Sequence, residues 1–420
     1  MRETVLEAVL RSADAPSEVQ RNRFAAFLKK QYGQEVPLRW EQDPALEKGF
    51  RMEVGADLYD WSLEGRLRQF RERFLVSEPK TALCARTLRE EDAILALSRP
   101  DSFSLYVSIP FCPTRCAYCS FVSQSVERSF SLVEPYVKAL IAEIRSGGDM
   151  VRSNHLRPRA FYMGGGTPGI LTPDQMDAIL TALEESFDLS ACPEITVEIG
   201  RPDTITAEKL AVLKSHGVTR VCVNPQTMED HVLAAIGRRH ASADTVRAME
   251  LVRAYRFPHV NMDLIAGLPE DTPEGFARSL DEVISMGADN ITVHTLSLKK
   301  GSRIMLEGSR IPGADEVAQM LDYADPTLRK HGFAPYYLYR QKYMSGSFEN
   351  VGWTKPGGTG LYNIYIMEEL HSILSLGAGG STKLVGGGFN AKYPREYIDR
   401  PEKRRANLMD FARFYAEQGE

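Results

Sequence analysis

The chain has 420 residues, a net charge of −5 and a pI near 6.0, so it lacks the basic excess expected of a nucleic-acid or anionic-membrane binder. Its 43% hydrophobic and 25% charged residues suit an ordinary globular protein, and no apolar run of about 18 residues predicts a bilayer span. The first twenty residues mix charged with apolar side chains and hold no apolar signal core, which predicts a cytoplasmic protein.

Residues 1–100 read as a small α+β appendage. A helix is expected over 21–32, and Trp61, Leu67, Phe70 and Phe74 recur near helical spacing among charges. From Ser102 a strand–helix rhythm takes over. Strands are expected at Leu105–Ile109, Ala160–Met163, Glu194–Ile199, Arg220–Asn224, Val260–Ile265 and Asn290–Thr295. Helices are expected at Val133–Ser146, Pro173–Glu185, Ala207–His216, Met228–Gly237, Ala243–Tyr255 and Pro273–Met286. Thr172-Pro173 and Thr272-Pro273 read as a cap followed by a first-turn proline. The class is α/β, and the alternation predicts a partial (β/α)6 barrel over 101–310, with function on the loops at the strands' C-terminal ends. Past Gly301 the rhythm is lost, and 311–420 reads as a mixed C-terminal region that covers the substrate.

Six cysteines are too few for a disulfide scaffold in a chain this long. Cys84, Cys192 and Cys222 are scattered and read as small buried hydrophobes. Cys112, Cys116 and Cys119 cluster in the loop after the first barrel strand, within Ile109-Pro110-Phe111-Cys112-Pro113-Thr114-Arg115-Cys116-Ala117-Tyr118-Cys119. Three thiolates suit an iron–sulfur cluster with one iron left open for a ligand. Structural zinc is the alternative, but it wants a fourth ligand nearby, and the loop has no histidine. Tyr162-Met163-Gly164-Gly165-Gly166-Thr167-Pro168 ends the second strand, where glycines let backbone approach a ligand closely. Glu198, Gln226 and Asp263 stand at or near the ends of later strands.

The cysteine spacing, the tyrosine before the last cysteine and the barrel rhythm together resemble the radical S-adenosylmethionine (SAM) superfamily. That resemblance implies a 4Fe–4S cluster on Cys112, Cys116 and Cys119, with SAM chelating the open iron. An electron from the reduced cluster would then cleave the S–C5′ bond to give a 5′-deoxyadenosyl radical. With Val197-Glu198-Ile199-Gly200-Arg201-Pro202, Ile236-Gly237-Arg238-Arg239-His240 and Met262-Asp263-Leu264-Ile265-Ala266-Gly267-Leu268-Pro269, the chain is similar to the oxygen-independent coproporphyrinogen III oxidase family. The family likeness implies SAM contacts from Tyr106, Tyr118, Gly165, Gly166, Thr167, Glu198, Gln226, Arg238 and Asp263.

Two departures narrow the branch. Phe121 and Ser108 stand where the oxidase prototype has a further cysteine and a histidine. The haem-chaperone branch shares the C-x-x-x-C-x-Y-C-x-F form, but its H-N-x-x-Y-W segment is here Tyr362-Asn363-Ile364-Tyr365-Ile366-Met367. The HemZ-type coproporphyrinogen dehydrogenase branch fits best, on Gly200-Arg201-Pro202-Asp203-Thr204-Ile205-Thr206, Asn224-Pro225-Gln226-Thr227-Met228, the 362–369 string and Leu376-Gly377-Ala378-Gly379-Gly380-Ser381.

This likeness implies oxidative decarboxylation of coproporphyrinogen III propionates to vinyl groups, giving protoporphyrinogen IX. Its partners would be a tetrapyrrole substrate and an electron donor such as flavodoxin or ferredoxin, with no nucleic acid. The alternatives are a haem-binding or haem-transfer protein and a radical SAM enzyme acting on another tetrapyrrole. A tetracarboxylate needs cationic partners. Arg340, Lys342, Lys355 and Lys383 are the candidates, beside Tyr336, Tyr337, Tyr339, Tyr343 and Trp353 as flat surfaces.

Overall fold

A computed structural model of the chain describes residues 7–46, 49–55, 57–60, 62, 101–119, 124–190, 192–297, 310–339, 348–367, 370–384, 388–389 and 394–416. The chain divides into two compact units, 1–91 and 92–420.

In the first unit β1 (Ala8–Ser12) pairs parallel with β2 (Leu38–Gln42) and antiparallel with β3 (Arg51–Val54), which pairs with β4 (Asp57–Asp60). The crossover between β1 and β2 is helix α1 (Glu18–Tyr32). It starts earlier than the expected Arg21 because Ser17 and Gln20 form a reciprocal capping box, and it ends where Gly33 takes φ 71°. Leu28 packs with Ala8, Leu10, Met52 and Val54 as this unit's core. The helical spacing over Trp61–Phe74 lies outside the described residues, apart from Ser62.

The second unit is built on a nine-stranded sheet. Six parallel strands form its centre: β5 (Ser102–Ile109), β8 (Arg157–Gly165), β9 (Glu194–Gly200), β10 (Arg220–Gln226), β11 (His259–Ala266) and β12 (Asn290–Thr295). Two short strands, β6 (Phe111–Cys112) and β7 (Gln124–Ser125), pair outside this sheet. Helices α2 (Val126–Ser153), α3 (Pro173–Ser186), α4 (Ala207–Ser215), α5 (Asp230–Ala235), α6 (Ser242–Ala254) and α7 (Pro273–Ser285) alternate with the strands. Thr172 caps α3 by accepting from Gln175 N–H, and Thr272 caps α7 by accepting from Gly275 N–H, each with proline in the first turn.

One face of the sheet is apolar and packs on the helices. Leu105, Val107, Ile109, Phe161, Met163, Val197, Val221 and Leu264 are fully buried there. Burying each such side chain contributes about 1.5–3 kcal/mol. The alternate residues, including Ser104, Tyr106, Tyr162, Glu198, Asn224 and Asp263, lie on the inner face. Period-two alternation thus separates a dry outer layer from a polar, aromatic chamber.

Residues 311–420 add helix α8 (Ala314–Lys330) and extend the sheet at both edges. β14 (Asn350–Thr354) runs antiparallel to β12 and carries β13 (Ala334–Tyr339). β15 (Ser372–Leu376) runs parallel to β5 at the far edge. The strand order is β13-β14-β12-β11-β10-β9-β8-β5-β15, so the barrel is partial, as expected. Helices α10 (Pro394–Asp399) and α11 (Pro401–Ala416) follow a short helix α9 (Leu361–Met367) and pack on α2. Among the described residues no helix is long and apolar enough to cross a membrane.

Candidate functional site: a cysteine loop over a polar chamber

The cysteine loop leaves the C-terminal end of β5, at the mouth of the chamber. Cys112, Cys116 and Cys119 are partly exposed, and none is in a disulfide. Neighbouring segments fix the loop's backbone and side chains. Ala117 N–H donates to the Ile236 carbonyl at 3.0 Å, and Thr114 Oγ1 donates to the Gly237 carbonyl at 3.1 Å. Among the described residues no three His, Cys, Asp or Glu side chains gather tightly enough for a single metal ion. A cubane cluster puts each thiolate on a different iron, so its ligands stand wider apart than those of one ion.

The glycine run closes against this loop. Gly165 takes φ 99°, a backbone conformation that suits glycine, and a Cβ there would stand 2.7 Å from Ser108 Oγ. A Cβ on Gly166 would lie 2.7 Å from the Ile109 carbonyl oxygen and 2.6 Å from that of Phe111. The same stretch is knit by Gly166 N–H to the Ile109 carbonyl (2.9 Å) and Thr167 N–H to the Phe111 carbonyl (2.8 Å). The close approach that needs glycine here is therefore between two strand exits of the protein itself.

Beneath the mouth lies a carboxylate pair. Glu198 accepts from Tyr162 OH at 3.0 Å and from Asn224 Nδ2 at 2.9 Å. Burial pushes its carboxyl up to about 7, with the Asp263 charge adding to the rise. Asp263 accepts from Asn261 Nδ2 at 2.8 Å and has His294 Nε2 at 3.7 Å. Burial acts to raise Asp263, but His294, Asn261 and Thr292 outweigh it and hold the carboxyl below its ordinary value. The two acids are thus shifted in opposite directions, Asp263 down and Glu198 up.

This split sets a sign for stability. A carboxyl raised in the fold contributes stability that is present at acid pH and lost as pH rises through about 7. The urea midpoint of the protein is expected to fall between about pH 5 and pH 8, and Glu198→Gln should flatten that slope. An unchanged slope in the variant would contradict the assignment.

Gln226 and Arg238 complete the mouth. Gln226 ends β10 with φ 72°, a strained conformation for a residue with a side chain, after Pro225 breaks the strand register. Arg238 is 8% exposed, donates to the Asn224 carbonyl, and reaches Tyr118 OH through Nη2 at 3.2 Å. Asn224 Oδ1, Gln226 Oε1 and Arg238 Nε are buried with no protein partner. Buried polar atoms are almost always paired, so three orphans near one mouth fit a polar ligand. SAM's amino, carboxylate and hydroxyl groups suit such a set, and the thiolates above it suit a cluster.

Deeper in the chamber, three tyrosines stack. Tyr106 and Tyr162 have ring centroids 6.1 Å apart, and Tyr362 of α9 lies 4.8 Å from Tyr162 and 6.0 Å from Tyr106. Glu194 places α9 by accepting the Leu361 N–H. Tyr337 and Tyr339 approach Thr292 and His294, each at 3.4 Å. Trp353 instead packs in the outer core, with the Arg329 guanidinium over its ring.

Of the expected substrate cations, the two that the structure describes, Lys355 and Lys383, stand away from this mouth. Lys355 follows Thr354, which pairs with Asn290 at the start of β12, so it stands at the opposite end of the parallel strands. Its ammonium lies over the Phe333 ring at 4.9 Å. Lys383 bridges to Ile373, which pairs with Ser104 near the start of β5, and donates to the Ile366 carbonyl at 3.0 Å. Their charge marks both lysines in the sequence, but charge does not tell which end of a strand a residue occupies. Arg340, Lys342, Tyr343 and Phe121 lie outside the described residues. His294, Tyr362 and Arg201 were not singled out, although alternation along β12 points His294 inward.

Comparison with known proteins gives the family. The radical SAM superfamily model matches residues 106–283, and a second model, the ATP synthase delta (OSCP) subunit, matches residues 1–74. The oxygen-independent coproporphyrinogen-III oxidase-like protein HemZ of Bacillus subtilis is 37% identical over 80% of this chain and 69% of its own length. The heme chaperone HemW of Lactococcus lactis is 29% identical over 69% of this chain and 71% of its own. The solved coproporphyrinogen III oxidase HemN of Escherichia coli shares the fold, with a TM-score of 0.60 at 20% identity over 74% of this chain and 72% of that one. A 4Fe–4S cluster and SAM are the cofactors of this superfamily, and the chain belongs to it, within the family of oxygen-independent coproporphyrinogen-III oxidase-like proteins.

Proposed function

We propose that this chain is a radical SAM oxidoreductase of tetrapyrrole metabolism that converts two propionates of coproporphyrinogen III to vinyl groups, giving protoporphyrinogen IX. The observation that carries this reading is the likeness to HemZ across 80% of the chain, well beyond the radical SAM core. In this reading Cys112, Cys116 and Cys119 hold the cluster. Tyr106, Tyr118, Gly165, Gly166, Thr167, Glu198, Gln226, Arg238 and Asp263 form the SAM cradle. When bound, the cluster and SAM supply a 5′-deoxyadenosyl radical by one-electron cleavage of the S–C5′ bond.

The chain's own residues orient and enclose. Arg238 offers its orphaned Nε–H to a carboxylate as a charge-assisted donor. Ionised Asp263 accepts from hydroxyl groups, and Glu198 does so once deprotonated. The stacked Tyr106, Tyr162 and Tyr362 form a flat aromatic wall. Each converted propionate would lose one hydrogen atom to the 5′-deoxyadenosyl radical, one carbon dioxide, and one electron to an external one-electron acceptor. A low-potential donor such as flavodoxin or ferredoxin would start each cycle, and the cytoplasm is the expected setting.

The relatives named heme chaperone support a second reading, haem binding and transfer. Against it, the position of that branch's segment histidine holds Tyr362, whose ring is committed to the stack with Tyr162. Anaerobic incubation with SAM, reductant and coproporphyrinogen III is expected to yield protoporphyrinogen IX together with 5′-deoxyadenosine. SAM cleavage with no vinyl product would overturn the decarboxylase reading and leave another tetrapyrrole as the substrate. Stoichiometric haem binding without turnover would establish the chaperone.

A further inference from the structure

Arg201 follows β9 directly and is 3% exposed, with no assigned partner in cofactor or substrate. Its guanidinium makes a bidentate pair with Asp203, Nε to Oδ1 at 3.0 Å and Nη2 to Oδ2 at 2.9 Å. The remaining nitrogen, Nη1, donates to Thr114 Oγ1 at 2.6 Å. Thr114 stands midway between Cys112 and Cys116, and the same hydroxyl passes its own proton to the Gly237 carbonyl at 3.1 Å. His240 backs the pair, with Nδ1 at 3.6 Å from Asp203 Oδ1.

The turn that presents Arg201 is itself locked. Thr204 Oγ1 donates to the Arg201 carbonyl at 2.8 Å. Lys209 Nζ bridges the carbonyls of Thr204 and Gly169, tying this turn to the one after the glycine run. A Cβ on Gly169 would stand 2.6 Å from the Ile199 carbonyl oxygen, so the two turns are in close contact. The turn that carries Arg201 is therefore tied to the turn after the glycine run through Lys209, and to the cysteine loop through Thr114.

We propose that Arg201 is a positioning residue for the cysteine loop, acting through Thr114 to set the separation of Cys112 from Cys116. Asp203 neutralises the guanidinium and fixes its plane, so the residue acts by geometry. A bidentate fork with a third donor is specific to arginine, since a lysine ammonium cannot reproduce the planar fork to Asp203 while reaching Thr114 in the same geometry. Groups that orient metal ligands typically cost about ten- to a hundredfold in metal affinity or activity when removed. This inference rests on the three cysteines being the cluster ligands.

The test uses the full chain, reconstituted anaerobically with iron and sulfide, in the variants Thr114→Val, Thr114→Ser, Arg201→Met and the double variant. The readouts are the rate of iron release to a chelator and the EPR spectrum of the reduced cluster with and without SAM. Thr114→Val and Arg201→Met are each expected to release iron at least about tenfold faster with an altered spectrum. Thr114→Ser should behave as the parent, and the double variant should lose less than the two single effects combined, because both remove the same Arg201–Thr114 hydrogen bond. Thr114→Val is nearly isosteric, so it decides the matter if Arg201→Met fails to fold. Parent-like release and spectrum in Thr114→Val overturn the proposal. A cluster retained in Cys116→Ser would instead overturn the cysteine assignment beneath it.

Discussion

A Cys116→Ser protein, reconstituted anaerobically with iron and sulfide, is expected to hold no intact 4Fe–4S cluster and to produce no 5′-deoxyadenosine. Cluster iron is soft and is held by thiolates, for which a serine hydroxyl is a poor substitute at neutral pH. The loop offers three such ligands, so one substitution leaves two. The backbone is expected to survive, because Ala117 N–H, Thr114 Oγ1 and Arg201 still hold the loop when the Cys116 contact with Arg238 is altered. Cys192→Ala and Cys222→Ala are the controls, since both cysteines are buried. Iron and sulfide counts with the visible spectrum measure the outcome, and a full cluster with SAM cleavage in Cys116→Ser refutes the assignment.

The second large effect belongs to Arg238. Replacing it with methionine removes the donor to the Asn224 carbonyl and to Tyr118 OH, and removes the one guanidinium nitrogen that has no protein partner. Truncating one partner of a buried, hydrogen-bonded charge pair costs about 2–5 kcal/mol, so SAM affinity should fall on the order of a hundredfold or more. Arg238→Lys should recover little of it, because an ammonium cannot serve those acceptors and a carboxylate together. Equilibrium dialysis of SAM against cluster-loaded protein measures this. Parent-like affinity with the cluster present would remove Arg238 from the cradle.

The six central strands could be read from the sequence because each alternates an apolar outer residue with an inner polar or aromatic one, and because proline and threonine mark the helix starts. The cysteine loop stood out by its spacing together with the tyrosine before the last cysteine and the strand–helix rhythm. Arg201 did not, because its partner Thr114, 87 residues away in the chain, is brought to it only when the fold closes. The position of Lys355 is hidden from the sequence for a related reason. β14 runs antiparallel to its neighbour β12, which sends the residue after it to the end away from the cysteines. Periodicity reports which face a side chain takes, and only topology reports which end.

The tight seam at Gly166 bears on how loss of function in this chain is interpreted. A methyl group there would press on the Ile109 and Phe111 carbonyls, which form the root of the thiolate loop. A Gly166→Ala protein that fails to cleave SAM would therefore show a scaffold fault under the phenotype of a cofactor defect. The diagnostic difference is order: a scaffold fault loses the cluster first, whereas a lost SAM contact leaves the cluster in place.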